Sequence, residues 1–77
     1  MDAKIKTSIS ISFGKKIREL RKSQNLSQEA FADLSDLDRS YIGGVERGDR
    51  NISLNNINKI SKALKLNIKE LFEDIYD

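Results

Sequence analysis

Apolar residues recur along this chain at helical spacing, and short polar stretches break the pattern into a series of short helices. Phe13, Ile17 and Leu20 fall at intervals of four and three, with basic residues on the opposite side, which predicts an amphipathic first helix. Its start is open on sequence alone. Ser8, Ser10 and Ser12 each suit an N-cap, and the alternation from Thr7 to Ser12 also fits a short strand. No second strand offers itself for pairing, so an extended lead-in or an early first turn is favoured.

Asn25 ends the first helix. Ser27 is a good N-cap for a second, over about residues 28–34, with Gln28 and Glu29 in its first turn and Ala30, Phe31 and Leu34 as its apolar face. Ser35, Asp36 and Leu37 form a turn. Asp38 then caps a third helix over about residues 39–47, buried through Ile42 and Val45, and Gly48 suits the left-handed residue that follows it. After a loop from Asp49 to Ile52, Ser53 caps a fourth helix with Leu54, Ile57, Ile60, Ser61 and Leu64 on one face. Asn67 followed three positions later by Glu70 has the form of a capping box. It starts a short fifth helix bearing Ile68, Leu71, Phe72 and Ile75. The pattern predicts a compact all-α domain of five helices, a single unit over residues 1–77.

Length and composition narrow the class. A chain of 77 residues buries only about 60% of the surface that it exposes unfolded, so nearly all its apolar residues are needed and a partner subunit helps. There are no cysteines and no histidines. Disulfides, thiol chemistry, cysteine-ligated zinc and the commonest neutral-pH general base are therefore excluded. No paired carboxylates, phosphate-binding glycine loop or metal-ligand spacing is present, so neither an enzyme nor a cofactor is expected. No apolar run approaches the length of a membrane span, and no secretory leader is visible, which makes the cytoplasm the expected location.

The net charge of +2 is modest, but its distribution is uneven. Residues 4–22 carry +6, residues 23–38 carry −4, residues 39–65 carry +4 and the last twelve carry −3. Such a molecule can present a basic face to a polyanion and keep its acidic end away, although an ordinary solvated surface fits the charge pattern equally well.

Two short helices joined by a tight turn, the second with polar and basic residues on its outer side, suit entry into the major groove of DNA. Arg39 can offer two donors to guanine O6 and N7, and Ser40 can make one less selective hydrogen bond. The alternative for Arg39 is a solvent-facing charge or an ion pair with Asp36. Gln28 opens the second helix, where its amide and the backbone N–H groups can hold a phosphate. Tyr41 can reach a phosphate through its hydroxyl or pack its ring on the first helix. Arg47, Arg50 and Asn51 are candidates for backbone contacts, while Glu46 pairs with a nearby arginine, such as Arg21, and orients rather than reads. Gly43 and Gly44 each cost about 1 kcal/mol in a helix interior. Either they allow close approach to DNA, or burial of Ile42 and Val45 holds the helix despite them.

The runs FGKKIRELR at 13–21, LSQEAFAD at 26–33 and RSYIGGVERG at 39–48, followed by Leu54 through Leu71 and Phe72, resemble the Cro and phage-repressor, or Xre-type, helix-turn-helix family. The resemblance covers about residues 12–73 and implies a lambda-repressor-like DNA-binding fold. DRSYI at 38–42 and ERGDRN at 46–51 look most similar to the controller proteins of restriction–modification systems. Those are small dimeric regulators that bind operator repeats, activating and repressing their own gene and the endonuclease gene. The resemblance implies that Gln28 braces a phosphate and contacts the recognition helix, that Arg39 and Ser40 meet base edges, and that Tyr41, Arg50 and Asn51 touch the backbone or minor-groove edge. Gly44 stands where several phage repressors carry a base-reading side chain, which shifts specificity towards Arg39 and DNA shape. Asp36 replaces the glycine or small polar residue common in the turn of relatives and tolerates an unusual backbone angle there.

One module reads too few base pairs for selectivity in a genome, so a homodimer on two-fold-related half-sites of double-stranded DNA is expected. Leu66, Phe72, Ile75 and Tyr76 are the apolar residues left for its interface, unless Phe72 closes the monomer's own core. RNA polymerase is a candidate further partner. The alternatives are a phage-type repressor and, from another class, a small antitoxin or adaptor built for protein interaction.

Overall fold

In the computed structural model, which describes residues 6–75, the alternating lead-in is helical. Thr7 is the N-cap of α1 (Ser8–Ser23), and its hydroxyl accepts the Ser10 N–H at 3.2 Å. The three serines considered as caps therefore lie inside the helix. A lone extended segment would leave its backbone groups unpaired, whereas the helix pairs them within itself. At the other end Gln24 is the C-cap and Asn25 takes a left-handed conformation, φ 59°.

Ser27 caps α2 (Gln28–Ser35) by accepting the Ala30 N–H at 3.0 Å. The turn after it reverses at Asp36, whose φ of 57° and ψ of 43° are left-handed. Asp38 occupies the N-cap position of α3 (Arg39–Arg47), but its carboxylate makes no capping hydrogen bond, so only its extended backbone serves the start of this helix. Gly48 ends α3 with φ 82°, and the N–H groups of Gly48 and Asp49 close on the carbonyls of Val45 and Gly44. A Cβ at residue 48 would also lie 2.8 Å from Ile11 Cγ1, so glycine is required there by both angle and space. Ser53 caps α4 (Leu54–Leu64) through the Asn56 N–H at 3.1 Å.

The expected fifth α-helix is a single 3-10 turn, Ile68–Phe72. Glu70 does reach back to accept the Asn67 N–H at 2.8 Å, as the capping-box spacing predicts. However, Glu73 is extended and Asp74 left-handed, which leaves too few residues for a ladder of i to i+4 bonds. The described residues thus form four α-helices and one 3-10 turn, with no strand. None of these helices is long and apolar enough to cross a membrane.

All the helices and the 3-10 turn contribute to one core: Phe13 and Ile17 of α1, Phe31 and Ala32 of α2, Ile42 and Val45 of α3, Ile60, Ala63 and Leu64 of α4, and Leu71. Leu34, Leu54 and Ile68, each expected on an apolar helix face, lie outside it. The buried side of α2 is centred on Phe31, Ala32 and Ser35, which turns Leu34 outward. Leu54 is the first residue of α4, beyond the edge of the core, and is 73% exposed. Ser35, although buried, is satisfied, because its hydroxyl donates to the carbonyls of Phe31 and Ala32.

The crossing of α1 on α3 depends on Gly14. A Cβ at that position would collide with the carbonyl oxygen of Val45 and lie 2.7 Å from that of Glu46. Both obstacles are backbone, so the helices themselves would have to separate. Gly14→Ala is therefore expected to destabilise the protein by about 1–3 kcal/mol, although alanine is the better helix former. Thermal unfolding followed by circular dichroism checks this; an unchanged or raised midpoint would show that the crossing has slack.

Candidate nucleic-acid interface

The α1–α3 crossing brings Arg21 of α1 under Glu46 of α3. Arg21 Nε donates to Glu46 Oε2 at 2.7 Å and Nη2 to Oε1 at 3.0 Å, a bidentate pair with both side chains under a tenth exposed. Nη1 donates to the carbonyl of Leu26 at 2.8 Å. The hydrogen bond that Arg21 donates to Glu46 raises the Arg21 pKa above its ordinary value despite the opposing effect of burial. The pairing of Glu46 with Arg21 expected from sequence is thus present, and it goes on to a third residue. Gln28, first in α2, donates its Nε2–H to Glu46 Oε1 at 3.0 Å.

The amide of Gln28 is oriented by that bond, which turns its oxygen towards α3. There Gln28 Oε1 accepts from Arg39 Nη1 at 3.3 Å. Arg39 therefore pairs with Gln28 rather than through the alternative partner, Asp36. A continuous line of polar contacts runs from buried Arg21 through Glu46 and Gln28 to the exposed start of α3. Arg39 and Ser40 are both exposed there, in the turn of α3 that a major groove would meet first.

Tyr41 packs its half-buried ring against the core and joins α3 to α4. Its hydroxyl accepts from Asn56 Nδ2 of α4 at 3.1 Å, and the Arg50 guanidinium carbon stands 5.3 Å from the ring centroid. Gly43 and Gly44 are buried under arginines rather than open to a ligand. A Cβ at 43 would lie 3.2 Å from Arg47 Nη1, and one at 44 would lie 3.1 Å from Arg50 Nε. The two glycines make room for side chains that arrive from the C-terminal end of the same helix and the loop beyond it. Asn51 is exposed beside Arg50.

Three features of this face were not read from the sequence. Asp49, only 6% exposed, accepts from Arg47 Nε at 3.0 Å and pairs with Lys6 at 3.2 Å. Lys6 also donates to the Arg47 carbonyl at 3.2 Å, a favourable place for a cation at the end of a helix. Finally, Arg18, Arg21, Gln28, Gly43, Glu46 and Arg47 line a cleft of about 320 Å³ beside the start of α2.

Of the expected interface residues, Phe72 lines a cavity of about 120 Å³ together with Arg50 and Asn51. Leu66 and Ile75 are half-buried and pack on the core, while Phe72 stays 41% exposed with its ring 5.1 Å from that of Phe13. Tyr76 lies outside the described residues.

The helix-turn-helix family model matches residues 17–71 of the chain. Among curated proteins, the control protein C.MunI of Mycoplasma sp is 52% identical over 68 residues, a span of 87% of this chain and 92% of that protein. The control protein C.BamHI of Bacillus amyloliquefaciens is 52% identical over 84% of this chain and 82% of its own length. Among solved structures, the restriction–modification controller protein C.AhdI from Aeromonas hydrophila superimposes with a TM-score of 0.85 at 55% identity, covering 86% of this chain and 100% of that one.

Removal of one partner from the buried pair should be costly, because Glu46→Ala strands the Arg21 guanidinium and releases Gln28. A loss of about 3 kcal/mol or more is expected, measured by urea unfolding; a loss within about 0.5 kcal/mol would mean that water replaces the carboxylate. Asp49 sets a pH dependence. The Arg47 hydrogen bond, with help from Lys6, holds its carboxyl below the usual value, so its contribution is present above about pH 4 and is lost as pH falls through the lowered native value. Asp49→Asn is expected to flatten that part of the acid-unfolding curve, and an unaltered curve would contradict the assignment.

Proposed function

The chain belongs to the helix-turn-helix family, and from that premise we propose that it is a sequence-specific transcriptional regulator of the restriction–modification controller kind. It binds duplex DNA as a homodimer on two-fold-related operator half-sites, with RNA polymerase as a further partner, and both activates and represses transcription of its own gene and that of an endonuclease. It acts in the cytoplasm, without cofactor and without catalysis. The observation that carries this reading is the exposed first turn of α3. Arg39 and Ser40 stand there on a helix whose opposite side is buried through Ile42 and Val45. The identity of 52–55% to proteins described as controllers supports the same reading.

In this reading the parts of the face divide the work. Arg39 reads a guanine edge, Ser40 adds one less selective bond, and Gln28, Tyr41, Arg47, Arg50 and Asn51 position the protein on the phosphate backbone. Two such reading edges on one dimer give the selectivity that one short edge lacks. The apolar surface of Phe72, with Leu66, Ile75 and Tyr76, supplies the dimer interface.

Selection of bound sequences from a random duplex pool tests the function: repeated half-sites should emerge. Arg39→Ala is then expected to lose about 1–3 kcal/mol of discrimination at one guanine in each half-site. Selected and random duplexes are compared at one salt concentration, and an equal loss on both would remove the base-reading role of Arg39.

A further inference from the structure

The cleft beside the start of α2 has a construction that the reading edge does not require, and its key element is Arg47. This is the last residue of α3, with its side chain 61% exposed, a position from which an arginine ordinarily samples many rotamers in solvent. Here it is fixed at two points. The left-handed turn at Gly48 brings the Asp49 carboxylate back to accept Arg47 Nε. Lys6 holds the same carboxylate from its other side and also takes the Arg47 carbonyl. Anchoring through Nε fixes the plane of the guanidinium and leaves its Nη edge to face elsewhere.

That edge is directed one helical turn back. Arg47 Nη1 lies 3.2 Å from where a Cβ of residue 43 would stand, and the two polar atoms of the Gln28 amide lie 3.8 and 3.9 Å from the same point. The bare backbone at Gly43 lets the guanidinium lie across α3 beside the first residue of α2. Arg18 lines the same cleft from α1. The carboxylate of Glu46 in the cleft already accepts from Arg21 and Gln28, so three arginines face one engaged acid. Such a forked donor next to a helix start suits a tetrahedral anion.

We propose that Asp49 and Gly43 are positioning residues that fold Arg47 back across α3, so that with Arg18 and Gln28 it forms a single seat for one phosphate of the DNA backbone. This rests on the DNA-binding reading and assigns it a specific device. It also reverses the expectation from charge alone. Asp49 is an acid on the DNA-facing side, so its removal should relieve Coulomb repulsion of the phosphates and tighten binding; as the holder of Arg47, its removal should weaken binding.

Phosphate contacts are independent of sequence, so a 20-base-pair mixed-sequence duplex is a sufficient probe. Its affinity is measured over a range of salt concentrations for the full chain, Arg47→Ala, Asp49→Asn, the double variant and Gly43→Ala, with thermal unfolding of each. Arg47→Ala should bind several-fold more weakly and lower the slope of log K against log salt by about one. Asp49→Asn should bind several-fold more weakly in the native background and no more weakly once Arg47 is absent. Gly43→Ala should melt no lower, since alanine favours the helix, yet bind more weakly because its methyl group displaces the guanidinium. Tighter binding by Asp49→Asn, or an equal loss with and without Arg47, would overturn the proposal. Should Asp49→Asn fail to fold, Gly43→Ala decides, and unchanged binding by it overturns the proposal. A native chain that does not bind the duplex, or binds it without salt dependence, would overturn the DNA-binding reading along with the seat. Normal native binding with additive losses overturns the seat alone.

Discussion

The bidentate pair of Arg21 with Glu46 is the contact on which the rest of this structure depends. Buried charges survive only when they are paired and their remaining hydrogen-bonding groups are used, and here Leu26 and Gln28 use them. The geometry demanded by two parallel N–H···O bonds fixes α1 against α3. The leftover capacity of one carboxylate oxygen fixes the first residue of α2. A single buried acid thereby sets the relative placement of three helices, including the one that carries Arg39.

That placement is possible because the backbone permits close approach where it is needed. Gly14 lets α1 and α3 cross at a separation that any side chain would prevent, and Gly48 turns the chain sharply while leaving space for Ile11. Around this frame the left-handed residues Asn25, Asp36 and Lys65 end α1, α2 and α4 abruptly enough for short connections. Rigid, short connections matter for function, since a reading edge must be held to within a fraction of an ångström by its support.

Much of this was legible in the sequence, for identifiable reasons. The helix starts at Ser27 and Ser53 and the end at Gly48 are local, each set by one residue's hydrogen bonding or allowed angles. The Arg21–Glu46 pair was legible because two opposite charges lay on helix sides that otherwise pointed at the core. The last helix was overestimated because Glu70 and Asn67 announce a start, whereas the left-handed Asp74 that follows the 3-10 turn has no strong sequence signal. Asp49 was missed because it meets Arg47 only through the left-handed turn at Gly48, while its other partner, Lys6, is distant in the chain. Gly14, Gly43 and Gly44 carried a usable signal: a glycine within a helix costs stability, and for Gly43 an arginine four residues on marks what fills the space. Leu34 and Leu54 show the limit of periodicity, which gives the apolar side of a helix but not where the core ends.

The orientation of Arg39 comes from the core by way of Gln28. A double-mutant cycle between Gln28→Ala and Arg39→Ala, read as preference for selected over random duplex, tests it most directly. Gln28→Ala is expected to relax the same guanine preference as Arg39→Ala, and the double variant to be no less selective than Arg39→Ala alone. An intact guanine preference in Gln28→Ala, whatever the change in overall affinity, would contradict this.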